Sequence, residues 1–136
     1  MDGKAFAQRA PRVLLIEDGH AAARVAADCI RREGLSFVRE RSALGARCAF
    51  RPGGFCLAVV DLGLPRSETD PRDADGFDVV AFLRSRDPAL PVIVWTASVD
   101  PAKTERALTL DVEILDKADA DGLRRAIRRA AERLGR

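Results

Sequence analysis

Short unbroken apolar runs alternate with longer stretches whose apolar residues recur at helical spacing, and the pair repeats five times. Residues 12–17 (RVLLIE) read as a buried strand. Residues 20–33 follow, with Ala22, Val25, Ala26, Cys29 and Ile30 on one helical stripe, and Gly34 stops the helix. Residues 35–39 form a brief second strand. Ser42 offers an N-cap for a helix reaching about Phe50, where Pro52-Gly53-Gly54 breaks it. Residues 56–60 are a third apolar strand ending at Asp61. A polar interval, 63–75, gives way to a helix from Gly76 to about Ser85 that buries Val79, Val80 and Leu83. Pro88 and Pro91 precede a fourth strand, 92–96. Residues 101–110 predict a helix with Pro101 in its first turn, and 112–115 a fifth strand. Asp119 or Asp121 caps a last helix with Leu123, Ala126, Ile127, Ala130 and Leu134 on one face.

The strands are continuous apolar runs rather than alternations, which indicates a parallel sheet covered on both faces. Five strand–helix units predict an α/β fold: a doubly wound, five-stranded parallel sheet with helices on both faces, of flavodoxin type. Right-handed crossovers bring the loops after the strands to one edge. The 136 residues support one domain, expected over 11–136, with residues 1–10 as a flexible tail.

Composition narrows the function. A net charge of +2 excludes wholesale electrostatic binding of nucleic acid. The arginines of the last helix (Arg124, Arg125, Arg128, Arg129, Arg133) read as a solvated face or a docking surface. No run approaches the ~18 apolar residues of a membrane span, and MDGKAFAQRA has no signal core. Three cysteines without CxxC spacing fit a reducing cytoplasm and read as small buried hydrophobes. A single histidine, His20, excludes mechanisms needing two and reads as a first-turn helix residue. Trp95 is expected in the core, beside the strand-end site but facing away from it by strand alternation.

The chemistry collects at those ends. Strand one ends in Glu17-Asp18, strand three in Asp61 and strand four in Thr96-Ala97, while Lys117 follows strand five. Clustered carboxylates repel unless a cation sits among them. An all-oxygen donor set selects a hard ion, Mg²⁺ before Ca²⁺. A carboxylate beside such an ion can attack phosphorus. The lysine ammonium and threonine hydroxyl would then stabilise the charge that spreads over the transferred group's oxygens.

Residues 11–134 resemble the receiver domain of two-component response regulators, on the motifs VLLIED, VVDLGLP, DGFDVVAFLR, PVIVWTA and ILDKAD. The resemblance implies that Asp61 accepts a phosphoryl group from a phosphohistidine on a sensor histidine kinase or histidine phosphotransfer protein. It implies Mg²⁺ held by Asp18, Asp61 and the Gly63 carbonyl, with Glu17 acting mostly through water. Thr96, Ala97 and Lys117 would stabilise the phosphoryl group. A downstream protein would read the face made by the fourth helix, fifth strand and fifth helix, and homodimerisation is open. The implied protein is a cytoplasmic bacterial single-domain switch or phosphorelay shuttle. It would catalyse only its own phosphoryl transfer and aspartyl-phosphate hydrolysis, with no direct nucleic-acid contact and no membrane insertion.

The sequence departs from the family at four places. The interval from Asp61 to Gly76 is several residues longer and is expected to be an extended loop beside the pocket. Ile114 occupies the switch position, three residues before the lysine, where the family has an aromatic. Ala118 replaces the proline after the lysine, and Leu110-Asp111 replaces a Gly-Ala pair. The first two replacements favour a second reading, a phosphorylation-independent interaction module on the same fold. A third, an aspartyl-phosphate phosphatase, is disfavoured because Gly63 stands where such enzymes place a second Asp.

Overall fold

A computed structural model describes residues 8–135. In chain order the elements are β1 (Arg12–Ile16), α1 (His20–Arg32), β2 (Ser36–Glu40), α2 (Ala43–Ala49), β3 (Leu57–Val60), β4 (Gly63–Pro65), β5 (Asp73–Asp75), α3 (Gly76–Arg86), β6 (Val92–Thr96), α4 (Pro101–Thr109), β7 (Glu113–Asp116) and α5 (Ala120–Arg133). The main sheet has five parallel strands in the order β2-β1-β3-β6-β7. This is the doubly wound α/β sheet expected from the apolar runs. The strand order reverses between β1 and β3, so a crevice opens beyond their carboxyl ends.

Two apolar layers explain why the strand sequences do not alternate. Val13, Leu15, Val59, Ile93 and Trp95 pack on Ala26, Ile30, Leu123 and Ile127, on the side of α1 and α5. Leu14, Ile16, Ala58, Val60 and Val94 pack on Phe77, Val79, Leu83 and Ala107, on the side of α2, α3 and α4. Each fully buried aliphatic side chain contributes about 1.5–3 kcal/mol relative to exposure. Ser42, Asp75, Asp100 and Asp119 each accept a hydrogen bond from a first-turn amide of α2, α3, α4 and α5. Helix α1 has no such side-chain cap.

Several expectations are corrected. The interval 63–75 is not a plain loop but an antiparallel hairpin pairing Gly63 with Asp75, Leu64 with Ala74 and Pro65 with Asp73. Leu64 anchors it in the core, and the Leu44 amide donates to the Arg66 carbonyl (2.9 Å), tying it to α2. The buried stripe of α1 is Ala23, Ala26, Ala27, Cys29 and Ile30, whereas Val25 is exposed. The expected tail is fixed at its inner end. Arg9 forms a two-pronged ion pair with Asp87 (2.6 and 2.7 Å) and also donates to the Phe55 carbonyl, while the Ala10 amide donates to Gly53. Residues 1–7 of that tail lie outside the described residues. Cys29 and Cys56 are buried as expected, but Cys48 is exposed on α2.

At the turn before β7, Asp111 takes the left-handed conformation (φ 54°). Asp adopts this region at lower cost than most residues. Arg84 braces the same turn, donating to the carbonyls of Leu90 (2.7 Å), Leu110 (3.4 Å) and Asp111 (3.0 Å).

Candidate functional site

The β1–β3 crevice gathers the acidic residues. Asp61 is the residue immediately after β3, and its amide donates to the Ile16 carbonyl (2.9 Å), continuing the strand pairing to the edge of the sheet. Glu17 continues β1 in the same way, its amide donating to the Glu40 carbonyl (3.0 Å). One carboxylate oxygen from each of Glu17, Asp18 and Asp61 lies within 4.8 Å of the others. Glu17 and Asp61 are buried, and Asp18 is exposed.

Lys117, carried in just past β7, places its ammonium among them, 2.5 Å from Glu17 and 3.3 Å from Asp61. Its amide donates to the Thr96 carbonyl (2.8 Å), so the end of β6 fixes where the lysine enters. Burial pushes the Glu17 carboxyl above its ordinary value, against the pull of Lys117 and the Gly19 amide; the nearby Asp61 charge adds to the rise. Burial pulls the Lys117 ammonium down, but Glu17 and Asp61 outweigh it and hold the group above its ordinary value.

The Glu17 carboxylate is engaged on both oxygens. Oε1 faces Lys117 and Oε2 accepts from the Gly19 amide (3.0 Å). Asp61 Oδ1 faces Lys117 and accepts a long hydrogen bond from the Gly63 amide (3.4 Å). The Asp18 carboxylate has no hydrogen bond or ion pair among the described residues. One ammonium among three carboxylates leaves an excess of negative charge, and every donor is a hard oxygen. That set fits a hard divalent cation.

The remaining site residues take these places. Thr96 ends β6, buried, and its hydroxyl accepts from the Ser98 amide (3.5 Å). Ala97 follows it, exposed at the rim. Gly63 opens the hairpin. Ile114 lies in β7 beside Val94 and is partly buried against the α2–α4 layer. Trp95 is core as expected, but it also floors the site, with the Lys117 ammonium 5.6 Å from its ring centroid. His20 begins α1 and is exposed. Beside the acids, an open groove of about 510 Å³ runs between the hairpin and α2, lined by Asp18, Ser42, Gly63, Leu64 and Glu68.

Two further residues shape the site. Gly76 crosses directly behind Asp61, where a Cβ would stand 2.5 Å from the Asp61 carbonyl oxygen and 2.7 Å from Leu62 Cα, so only glycine fits. Arg39 on β2 donates to the carbonyls of Glu17 and Asp18. Its place could have been found from the parallel register that sets Arg39 beside Leu15, two residues short of the acidic pair.

The chain thus carries an acid–lysine cluster at the switch point of a doubly wound sheet. Residues 13–128 match the response regulator receiver domain, and the chain belongs to that family. It is 32% identical over 88 residues to the response regulator protein FleR of Pseudomonas aeruginosa, covering 65% of this chain and 17% of the relative; the chain thus spans under a fifth of that protein's length. The non-phosphorylated HemR receiver domain of Leptospira biflexa superposes with a TM-score of 0.76 at 23% identity, covering 89% of this chain and 94% of that one. The phosphorylated cyanobacterial phytochrome response regulator RcpA does so with a TM-score of 0.66 at 25% identity, covering 89% and 91%. Among the described residues no helix is long and apolar enough to cross a membrane.

Proposed function

We propose that this receiver accepts a phosphoryl group on Asp61 from a phosphohistidine, with a divalent cation of the Mg²⁺ class held by Asp18, Asp61 and the Gly63 carbonyl. The observation that carries the reading is Lys117 bridging Glu17 and Asp61 inside a three-carboxylate cluster. A bound divalent cation supplies charge neutralisation for the approaching phosphoryl oxygens. An Asp61 carboxylate oxygen attacks phosphorus, the P–N bond to the donor histidine breaks, and the imidazole leaves with the bond's electron pair. The carboxylate neighbours of Lys117 favour its charged form. Its ammonium and the Thr96 hydroxyl are the chain's own donors for the transferred oxygens. Glu17 orients Lys117 and the Gly19 amide through its two carboxylate oxygens. The phosphorylated state of RcpA supports the same chemistry for a relative of this fold.

The donor in this reading is a sensor histidine kinase or histidine phosphotransfer protein in the cytoplasm. The output is a protein partner, or a second copy, reading the face of α4, β7 and α5. Ile114 at the switch position favours one further reading, an interaction module whose partner affinity ignores phosphorylation. Incubation with acetyl phosphate and Mg²⁺, read by intact mass, tests the main reading. The expected result is one phosphoryl adduct that needs Mg²⁺ and is absent from Asp61→Asn. An adduct on Asp61→Asn contradicts the assignment. Partner affinity unchanged by beryllofluoride would favour the second reading.

A further inference from the structure

The acidic pair sits on a turn that lacks the usual restraint. Gly19 is the N-cap of α1, and no side chain caps the helix. No acidic residue occupies its first turn. The Asp18 carboxylate has no hydrogen bond or ion pair among the described residues, so its placement depends on how its backbone is held. That backbone is held from outside the turn. The Arg39 guanidinium donates through Nε to the Glu17 carbonyl (3.0 Å) and through Nη2 to the Asp18 carbonyl (3.2 Å), while Nη1 lies 3.5 Å from His20 Nδ1. Strand alternation explains the reach. Phe37, two residues earlier in β2, packs on the α1 side, and Arg39 shares its face. A planar guanidinium presents its donors in a fixed fork that matches two successive carbonyls, whereas an ammonium offers rotatable donors with no preset geometry.

We infer that Arg39 is a positioning residue for the cation site: its fork on the Glu17 and Asp18 carbonyls fixes the β1–α1 turn so that the otherwise unrestrained Asp18 carboxylate faces Asp61. The inference rests on the reading of Glu17, Asp18 and Asp61 as a divalent-cation site. The sign of the effect separates positioning from simple charge. Removing a nearby positive charge strengthens attraction of a cation to the acids. Removing a group that orients a ligand weakens it, typically by tenfold or more.

Calorimetric titration of the full chain with Mg²⁺ tests this, using the parent, Asp18→Asn, Arg39→Gln, Arg39→Lys and Arg31→Gln. Arg31 stacks over Phe37 on the same face without bonding the turn, so it serves as the charge control. The expected result is Mg²⁺ binding by the parent, loss in Asp18→Asn, about tenfold weaker binding in Arg39→Gln and an intermediate value in Arg39→Lys. Arg31→Gln should bind at least as tightly as the parent. The Arg39→Gln defect in acetyl-phosphate labelling should disappear at saturating Mg²⁺. If the parent binds no Mg²⁺, or Asp18→Asn binds like the parent, the cation-site reading fails and the inference with it. If those two behave as expected but Arg39→Gln binds as tightly as the parent or tighter, the role of Arg39 alone is overturned. Should Arg39→Gln not fold by circular dichroism, Arg39→Lys decides: weaker binding supports the role, and parent-like affinity overturns it.

Discussion

At the scale of single residues, charge placed at strand ends does most of the work. Glu17, Asp61 and Thr96 were legible in the sequence because each follows a run of buried apolar residues, and a parallel sheet delivers all such positions to one edge. Arg39 was not, because its role depends on which strand lies beside β1 and in what register. Arg9 was hidden for a related reason: its partner Asp87 stands 78 positions away. That pair has a pH consequence. Hydrogen bonds from Arg9 hold the Asp87 carboxyl below its ordinary value, against the opposing effect of burial; the Gly53 amide lowers it further. The folded state therefore binds this proton less readily than the unfolded chain, and the stability is present above the unfolded carboxylate range. It is lost as pH falls through the depressed folded value. Asp87→Asn should lose about 2–4 kcal/mol at neutral pH and show a shallower loss of stability on acidification, measured by urea unfolding across pH. An unchanged pH profile would remove Asp87 from the account.

At the level of elements, the hairpin β4–β5 follows closely on the buried acid after β3. Its strands, Gly63–Pro65 and Asp73–Asp75, are three residues each and carry no apolar run, so the sequence suggests a loop. Its order comes from tertiary context: Leu64 in the core, the Leu44–Arg66 hydrogen bond, and Asp75. The Asp75 carboxylate accepts from the Phe77 amide at the start of α3 and also pairs with Arg106 of α4 at 2.6 Å. Arg106 in turn stacks on Phe77. The hairpin thereby links the segment after Asp61 to α4 through Asp75 and Arg106. Leu64→Ala should destabilise the fold by about 2–5 kcal/mol, read as a lowered urea midpoint. A change below ~0.5 kcal/mol would mean that the hairpin is not anchored through this side chain.

At the scale of the whole molecule, the continuous apolar runs determined the layered sheet, and the reversal of strand order placed the crevice between β1 and β3. Five parallel strands with helices on both faces could be read from the pattern alone, because burial on both faces removes alternation. The last-helix arginines are partly absorbed by the fold, Arg128 pairing with Glu33 and Arg129 with Glu113, both at 2.9 Å. Surface charge there serves packing between elements as well as solvation.

Chemical trapping identifies which residue takes up a phosphoryl group. The protein would be labelled with acetyl phosphate and Mg²⁺, reduced with borohydride, and mapped by peptide mass spectrometry. Reduction converts an aspartyl phosphate to homoserine, so homoserine is expected at position 61 and nowhere else, only when Mg²⁺ is present. Homoserine at another aspartate, or labelled protein with Asp61 left intact, would contradict Asp61 as the acceptor.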